Sequence, residues 1–310
     1  MARRMLTPAQ LQLVQVVRPH VNAPLVRIGC SGGADSLALV AAAAACRGEA
    51  TTLEAVVVDH GLQENSAEAA RSTAAVVENL GVHARLVRVD VVDDGHGLEA
   101  AAREARLAAL AGDRKAPVLL GHTLDDQAET VLLGLGRGSG PASLQAMAER
   151  RDVFVRPLLG VRRAVTRQAC KDWGLPVWED PMNSDLRFRR VRVRNQLVPI
   201  MEDVLGGGVV EALGRTASML RADNHLIDEL ARQQATEDCS ELARLHPALR
   251  SRVLRSWLLR QGVPEPSHGH VQAVEQLVTD WHGQSGLDLP GGVRVQREDG
   301  RLVAAQTPAG

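Results

Sequence analysis

The chain has 310 residues, with 36 Lys and Arg against 37 Asp and Glu, so its formal net charge is −1. This length allows one large hydrophobic core and a second, smaller one, and the near-neutral charge excludes a protein that attracts nucleic acid over its whole surface. Four widely spaced cysteines without a CxxC pair argue against a zinc site, an iron–sulfur cluster or a disulfide framework, and for a reducing, cytoplasmic location.

An amphipathic helix is predicted first, in the stretch MLTPAQLQLVQVV, and apolar runs then alternate with helical patterns. The longest apolar run is about half of what a membrane span needs, so no membrane association is expected. The predicted strands are 25–30, 53–59, 84–90 and 117–122, and the predicted helices are 35–47, 64–80, 98–111 and 125–135. Nearly continuous apolar strands that alternate with helices indicate an α/β fold, with a parallel sheet covered by helices on both faces.

Each predicted strand ends in polar or glycine residues. The ends are Cys30-Ser31, Asp59-His60, Asp90 and Gly121-His122. In open parallel sheets a ligand binds outside the carboxyl ends of the strands. We therefore expect these four strand ends to line one site.

The first strand is followed by CSGGADS, residues 30–36. Gly32 and Gly33 lack Cβ atoms, so successive N–H groups can point into one concavity at a helix N-terminus, which suits a phosphate. No lysine follows the glycines, so this is not a Walker-type loop. Asp35 places a carboxylate beside the expected phosphates, and Mg²⁺ bridging the two is the implied arrangement. The alternative is a tight turn in which Asp35 or Ser36 is only the helix N-cap.

A second cluster, GHTLDDQAET, follows the fourth predicted strand. Asp126 and Glu129 are three residues apart and share a helix face, close to His122 at the strand end. These side chains predict a site for a metal or a cationic substrate. The alternative is that the aspartates only favour the positive end of the helix dipole and that Glu129 is solvated, which leaves His122 unexplained.

Two further segments allow a functional and an ordinary interpretation. Asp59 and His60 end the second strand, and they are either site residues or a turn residue and an exposed side chain. In LEAAAREAR, Arg103 and Arg106 lie at helical spacings, and pairing of Glu99 with Arg103 would explain much of that pattern.

Arginine becomes frequent after residue 145, with twelve Lys or Arg against five Asp or Glu between residues 150 and 194. This basic segment inside a neutral protein suits phosphate backbones. Arg190, Arg192 and Arg194 would share one face of a strand but splay on a helix, and the sequence after them favours a helix. Part of the segment is then solvated or paired with Asp180 and Asp185.

The remainder of the chain is predicted to form a second domain. Residues 246–262 and 268–281 are amphipathic helices, and the tail carries Gly-Gly and Asp-Gly turns between alternating runs, which is a hairpin pattern. We predict a catalytic domain over residues 1–221, with an arginine-rich helical segment at 187–221, and a smaller α+β domain over 222–310.

The loop SGGADS resembles the phosphate loop of N-type ATP pyrophosphatases, which cleave ATP to AMP and pyrophosphate. Between about residues 25 and 200 the chain carries, in order, VDHGL, LEAAAREAR, GHTLDDQAET, RGSG, RPLL and EDPMNSD, followed by an arginine-rich helix. This series of motifs is similar to that of the tRNA(Ile)-lysidine synthetase family. The resemblance implies that ATP and Mg²⁺ activate the wobble cytidine of a minor isoleucine tRNA as an adenylate. Free L-lysine then displaces AMP.

The resemblance also implies roles for residues at the matching positions. ATP contacts are expected from Ser31, Gly32, Gly33, Ala34, Asp35, Ser36 and Asp59, with Asp35 as the metal ligand. Asp126 and Glu129 would attract lysine, and His60 or His122 would take the proton of its amine. Contacts to tRNA or the adenylate are expected from Arg103, Arg106, Arg137, Arg156, Arg190, Arg192 and Arg194. A homodimer is left open.

The chain departs from the family pattern where Val191 stands between Arg190 and Arg192 in place of an asparagine, which keeps the charges but removes an amide. Its length also leaves no room for the further carboxyl-terminal domain of longer members.

Four rival functions stay open at this stage. They are a tRNA thiolase, a GMP-synthetase-like amidotransferase, a non-catalytic ATP-binding module and a passive tRNA-binding protein. Scattered cysteines oppose the first, a missing glutaminase segment opposes the second, and the fourth leaves the glycine loop unexplained.

Overall fold

The computed structural model describes residues 5–59, 61, 66–89, 98–138, 140–178 and 181–306, with only the backbone described at 98–100, 102, 181 and 183. The chain divides into two compact units, Met1–Leu133 with Ala146–Arg215, and Gly134–Gln145 with Thr216–Gly310. Nothing in the sequence indicated that residues 134–145 group with the carboxyl-terminal part. The domain boundary predicted at residue 221 lies within a long helix, Val209–Gln233, and stays a prediction.

Helices and strands of the first unit alternate as predicted. The helices are α1 Pro8–Val17, α2 Ala34–Cys46, α3 Ser66–Asn79, α4 Leu98–Ala111, α5 Leu124–Leu135, α7 Arg163–Trp173, α8 Arg189–Arg192 and α9 Val198–Val204; the short α6, Pro141–Leu144, belongs to the second unit. The strands are β1 Leu25–Gly29, β2 Thr52–Asp59, β3 His83–Arg88, β4 Val118–Leu119, β5 Arg150–Arg151 and β6 Phe154–Val155. Single 3₁₀ turns lie at Arg18–His20 and Pro181–Ser184, and one π turn lies at Val193–Leu197 between α8 and α9.

The six strands form one sheet in the order β3-β2-β1-β4-β6-β5. All neighbouring pairs are parallel except β5 with β6, a short edge hairpin that the sequence did not indicate. The chain moves outward from β1 through β2 to β3 and then returns to β4 on the other side of β1. This reversal places a crevice at the carboxyl ends of β1 and β4, which is where ligands bind in such sheets.

Apolar side chains cover both faces of the sheet, as predicted for the fold class. On β2, Ala55 and Val57 pack into a cluster that includes Leu13 of α1 and Leu37 of α2. Val56, whose side chain points to the opposite face, packs in a second cluster with Leu110 of α4. The helices therefore hold the strand ends of the crevice from two sides.

The second unit has its own core. Its helices are α10 Val209–Gln233, which begins in the first unit, α11 Cys239–Arg244, α12 Pro247–Arg260 and α13 His268–Thr279. The predicted hairpin is present as an antiparallel sheet of β7 Leu287–Leu289, β8 Val293–Glu298 and β9 Arg301–Gln306. Trp257 of α12, Leu277 of α13 and Val295 of β8 are buried together. Among the described residues, no helix has the length and apolar character of a membrane span.

Two backbones approach closely at the crevice. Gly121 follows β4, and a Cβ atom there would lie 2.9 Å from the carbonyl oxygen of Asp35 and 3.1 Å from the backbone nitrogen of Ser36. Backbone atoms in the first turn of α2 cannot move aside as the end of a flexible side chain can. Only glycine therefore fits at position 121 without separating β4 from α2.

We predict that Gly121→Ala destabilises the protein by about 1 to 3 kcal/mol, the usual cost of overpacking an interior site. Unfolding in guanidinium chloride measures the change. Gly48→Ala is the matched control, because a Cβ atom at Gly48 would meet no atom within 4 Å. An equal effect of the two substitutions would contradict the tight approach at Gly121.

Candidate active site

Ser36 closes the turn between β1 and α2. Its hydroxyl accepts a hydrogen bond from the backbone N–H of Ser31 at 3.1 Å and donates one to the carbonyl of Gly33 at 2.9 Å. Gly33 is the N-cap of α2 and makes no side-chain cap, so neither Asp35 nor Ser36 is the N-cap residue. The first N–H groups of a helix lack intrahelical partners. Such N–H groups at the start of α2 suit an anion, and the phosphate site expected at this turn stays a prediction.

Gly32 is required by the same turn. Its φ of 82° lies in the left-handed region, and a Cβ atom there would collide with the Thr73 hydroxyl of α3. The Gly32 carbonyl accepts a hydrogen bond from the backbone N–H of Trp178 at 3.0 Å. The turn is thus fixed by the segment after α7 as well as by its own side chains.

Three carboxylates surround one guanidinium group in the crevice. They belong to Asp35 of α2 and to Asp126 and Glu129 of α5, and we call them the carboxylate cluster. Arg163, the first residue of α7, places Nε 3.2 Å from Asp35, Nη2 2.7 Å from Asp126 and Nη1 3.0 Å from Glu129. The structure therefore brings the acidic residues of the two predicted clusters together around a shared cation.

The first turn of α7 is anchored by further contacts. The backbone N–H of Arg163 donates to Asp125 of α5 at 2.7 Å, and Arg162 forms an ion pair with the same carboxylate at 3.3 Å. The Thr166 hydroxyl donates a hydrogen bond to Asp35. Helix α7 is consequently tied to α2 and to α5 at the point where both enter the site.

Burial and ion pairing act against each other on these carboxylates. Burial raises the pKa of Asp35, although the Thr166 hydroxyl and Arg163 oppose the shift. Burial also disfavours ionised Asp126, but Arg163 and the Thr123 N–H and hydroxyl outweigh it, so its pKa is lowered. The pKa of Arg163 is raised despite its burial, because three carboxylates surround it. The guanidinium is thus the charge that keeps Asp126 ionised in a buried site.

Glu129 is enclosed by arginines, and its side chain is 1% exposed. Arg194 places Nε 2.7 Å from one carboxylate oxygen and Nη2 3.0 Å from the other, while Arg190 lies 3.7 Å away and donates to Thr130. Arg192 points elsewhere, is exposed and lies 3.4 Å from Gln196. The three arginines splay as predicted for a helix, and two of them are paired inside the site.

A second, basic group lies at the same edge of the sheet. Arg103 and Arg106 of α4 and Arg156 after β6 lie close enough to His122 to disfavour its protonation, and we call these three residues the arginine cluster. Burial first, and then these charges, lower the pKa of His122 to about 4, although Asp126 opposes them. His122 Nδ1, Arg106 Nε and Arg156 Nε are buried without a hydrogen-bond partner among the described residues. Buried donors of this kind favour an anionic ligand.

The remaining predicted site residues are more scattered. Asp59 is buried at the end of β2 and accepts the Gly61 N–H at 3.0 Å. His60 lies outside the described residues. Arg137 is exposed and belongs to the second unit. The predicted pairing of the basic segment is present between Arg187 and Asp185 at 2.7 Å, while Asp180 lies outside the described residues.

Sequence reasoning missed Arg163, Thr166 and the close approach at Gly121. A signal for Arg163 was present but not used, because RRAVTRQACKDW reads as an amphipathic helix that begins at two arginines, where the helix dipole disfavours positive charge. Such a position needs carboxylate partners from elsewhere in the fold. Thr166 and Gly121 gave no sequence signal, since their roles depend on which elements pack together.

Comparison with known proteins identifies the family of the chain. A PP-loop domain model matches residues 5–201, and a TilS substrate binding domain model matches residues 238–303. A tRNA(Ile)-lysidine synthase of Nocardia farcinica is 51% identical over 304 residues, covering 93% of this chain and 94% of the relative. That of Rhodococcus erythropolis is 48% identical over 312 residues, covering 97% and 94%.

A solved structure shares the fold. It is the U34-tRNA thiolase NcsA from Methanococcus maripaludis with its [4Fe-4S] cluster, with a TM-score of 0.57 and 18% identity, and the match covers 68% of this chain and 78% of that one. The fold and the family match together define a PP-loop protein, a class that binds ATP. The extent and identity of the sequence matches then show that the chain belongs to the tRNA(Ile)-lysidine synthase family.

We predict that His122 stays neutral well below neutral pH. Because folding lowers the pKa of His122 from 6.5 to about 4, the unfolded chain binds a proton at this residue at a higher pH than the folded chain does. The stability that depends on neutral His122 is therefore lost as the pH falls from 6.5 to about 4. The His122 Hε1 resonance, assigned by its loss in His122→Gln, should not titrate between about pH 5.5 and 7.5. A midpoint inside that range would contradict the buried, arginine-flanked environment.

Proposed function

We propose that this chain ligates L-lysine to carbon 2 of the wobble cytidine of a minor isoleucine tRNA, with ATP converted to AMP and pyrophosphate. The membership of the tRNA(Ile)-lysidine synthase family supports this function. The main structural support for it is that the Ser31–Ser36 turn, proposed to bind phosphate, and the carboxylate cluster lie together at one edge of the sheet. One group suits ATP, and the other suits a cationic second substrate.

The reaction has two balanced steps. The oxygen on carbon 2 of the cytidine attacks the α-phosphorus of ATP, and the bond to pyrophosphate breaks. The ε-amine of lysine then attacks carbon 2, AMP leaves with the oxygen, and the amine loses a proton. Adenylation makes a poor leaving group into a good one, and the backbone N–H groups at the start of α2 would hold the pyrophosphate half.

Magnesium is proposed at Asp35. Mg²⁺ usually binds to one or two carboxylates together with substrate phosphates, and Asp35 is the carboxylate that the turn itself carries. Its side chain is the most exposed of the carboxylate cluster, at 24% against 11% for Asp126 and 1% for Glu129. The ion would neutralise charge on the phosphates.

Lysine is proposed at Asp126 and Glu129. Arginine side chains already bind both oxygens of Glu129, so an incoming ammonium group must take the place of one of them. Arg194 is 27% exposed, against 13% for Arg163, and is therefore the better candidate to move. We propose that lysine replaces Arg194 and that Arg163 stays in place.

The arginine cluster is proposed to bind a phosphate oxygen of ATP. Within the part of the chain that the structure describes, the buried Nε groups of Arg106 and Arg156 have no hydrogen-bond partner, which favours a small anion over an exposed tRNA backbone. His122 is a weak base at a pKa of about 4, so hydrogen bonding suits it better than accepting the lysine proton. Asp59 at the end of β2 is proposed as a further ATP contact, and His60 stays a candidate for the proton acceptor.

Contacts with tRNA are proposed for exposed arginines, which can pair with backbone phosphates. Arg137 and Arg192 are exposed, and Arg190 is half-buried beside the carboxylate cluster. A homodimer stays a prediction that the molar mass in solution would test. A cytoplasmic reaction is supported by the cysteines, all four of which are free thiols.

The thiolase alternative is less well supported than lysine ligation. Of the four cysteines, Cys30, Cys170 and Cys239 are buried. Over the described ranges, the chain has no group of three His, Cys, Asp or Glu placed to hold a metal, so no cluster-binding cysteines are apparent there. A non-catalytic ATP-binding module would bind ATP but release no pyrophosphate when tRNA and lysine are supplied.

We predict that the protein, given ATP, Mg²⁺, radiolabelled lysine and total bacterial tRNA, transfers label to an isoleucine tRNA. Asp35→Asn should abolish pyrophosphate release while tRNA affinity stays nearly unchanged, because Asp35 acts on ATP and the tRNA surface is intact. Filter binding measures that affinity. Label that stays free, or sulfur entering tRNA in a parallel assay, would contradict lysine ligation.

We further predict that Arg106→Gln lowers the rate of tRNA-dependent pyrophosphate release about 100-fold, as expected when a donor to a developing charge is removed. Affinity for tRNA should change little, since the side chain is largely enclosed. Arg150 is exposed on β5, and Arg150→Gln is the matched control because it also removes one positive charge. Equal rates in wild type and Arg106→Gln would exclude the phosphate contact.

A further inference from the structure

Arg163 contacts all three members of the carboxylate cluster. Its three nitrogens lie 3.2, 2.7 and 3.0 Å from Asp35, Asp126 and Glu129, so each donates to a different carboxylate. One of these residues belongs to the turn proposed for ATP, and the other two belong to the helix proposed for lysine. The side chain therefore spans both halves of the site.

Among the described arginines that contact the carboxylate cluster, Arg163 is the least exposed. Its side chain is 13% exposed, compared with 37% for Arg190 and 27% for Arg194. Its backbone N–H is bound by Asp125, and its carbonyl accepts a hydrogen bond from the Thr166 hydroxyl at 2.8 Å. A guanidinium anchored in this way loses little freedom when it holds a carboxylate.

We propose that Arg163 is a positioning residue for both chemical steps, an inference that rests on the proposed function. It acts through Asp35 in pyrophosphate release and through Asp126 and Glu129 in lysine transfer. Carboxylates buried beside each other repel, and without a shared cation they would separate or become protonated. The guanidinium contacts the three carboxylates through three separate nitrogens in one plane, whereas an ammonium group has its three donors on a single nitrogen and would have to draw the carboxylates together.

The test separates the two steps. Pyrophosphate release is measured with ATP and tRNA but without lysine, and lysine transfer is measured in a single turnover on adenylated tRNA. Arg163→Lys keeps the charge and loses the fork, so both rates should fall about 100-fold, as when reacting groups are misplaced by about 1 Å. The KM for tRNA should stay within about twofold, because Arg163 contacts the carboxylate cluster and is not among the arginines proposed to contact tRNA.

Two further variants complete the comparison. Thr166→Val removes the hydroxyl that contacts Asp35 and the Arg163 carbonyl but leaves the contacts of the Arg163 side chain with Asp126 and Glu129, so it should slow pyrophosphate release more than lysine transfer. Arg167→Gln removes a positive charge from an exposed position on the same helix and should change neither rate. Arg163→Gln removes the cation that contacts all three carboxylates, although Arg194 still pairs with Glu129, and its melting temperature separates the cost to folding from the cost to the reaction.

Four results would overturn the proposal. The first is that Arg163→Lys leaves both rates within twofold of wild type, and the second is that it lowers the rate of only one step. The third is that Arg163→Lys lowers tRNA affinity and melting temperature in parallel with the rates. The fourth is that Arg167→Gln has the same effect on the rates as Arg163→Lys. A parallel loss would indicate that Arg163 only supports the fold. A wild-type protein that transfers no lysine would instead contradict the proposed function, so the two failures are distinguishable.

Discussion

The close approach of two backbones, at Gly121 after β4 and at the first turn of α2, is the constraint on which the site depends. A Cβ atom at Gly121 would lie 2.9 Å from the carbonyl oxygen of Asp35. Because β4 pairs directly with β1, this contact brings the Ser31–Ser36 turn next to the start of α5. The carboxylates of α2 and α5 then lie within reach of one side chain.

Charge compensation follows from that geometry. Three carboxylates gathered in a crevice destabilise one another, and burial together with the charge of Asp126 raises the pKa of Asp35. Arg163, Arg190 and Arg194 supply the opposite charges from α7 and from the arginine-rich segment. A chain with a net charge of −1 thus contains a densely charged interior site whose charges largely cancel.

Much of the fold was predictable from sequence because the signals are local. The alternation of apolar runs and helical patterns located β1 to β3 and α1 to α5 to within a few residues, and the predicted α/β class is confirmed. The grouping of Asp126, Glu129 and His122 followed from spacing alone. Arg163 and Thr166 could not be assigned in the same way, because α7 reaches the site through packing against α1 and α2. The edge strand β5 is two residues long, too short for a periodic pattern.

The central claim is that the Ser31–Ser36 turn binds the pyrophosphate half of ATP. A crystal structure with a non-hydrolysable ATP analogue tests it most directly. The account predicts phosphate oxygens within hydrogen-bonding distance of the backbone N–H groups at the start of α2, with Asp35 facing the same phosphates. An analogue bound elsewhere on the chain, with this turn empty, would contradict it.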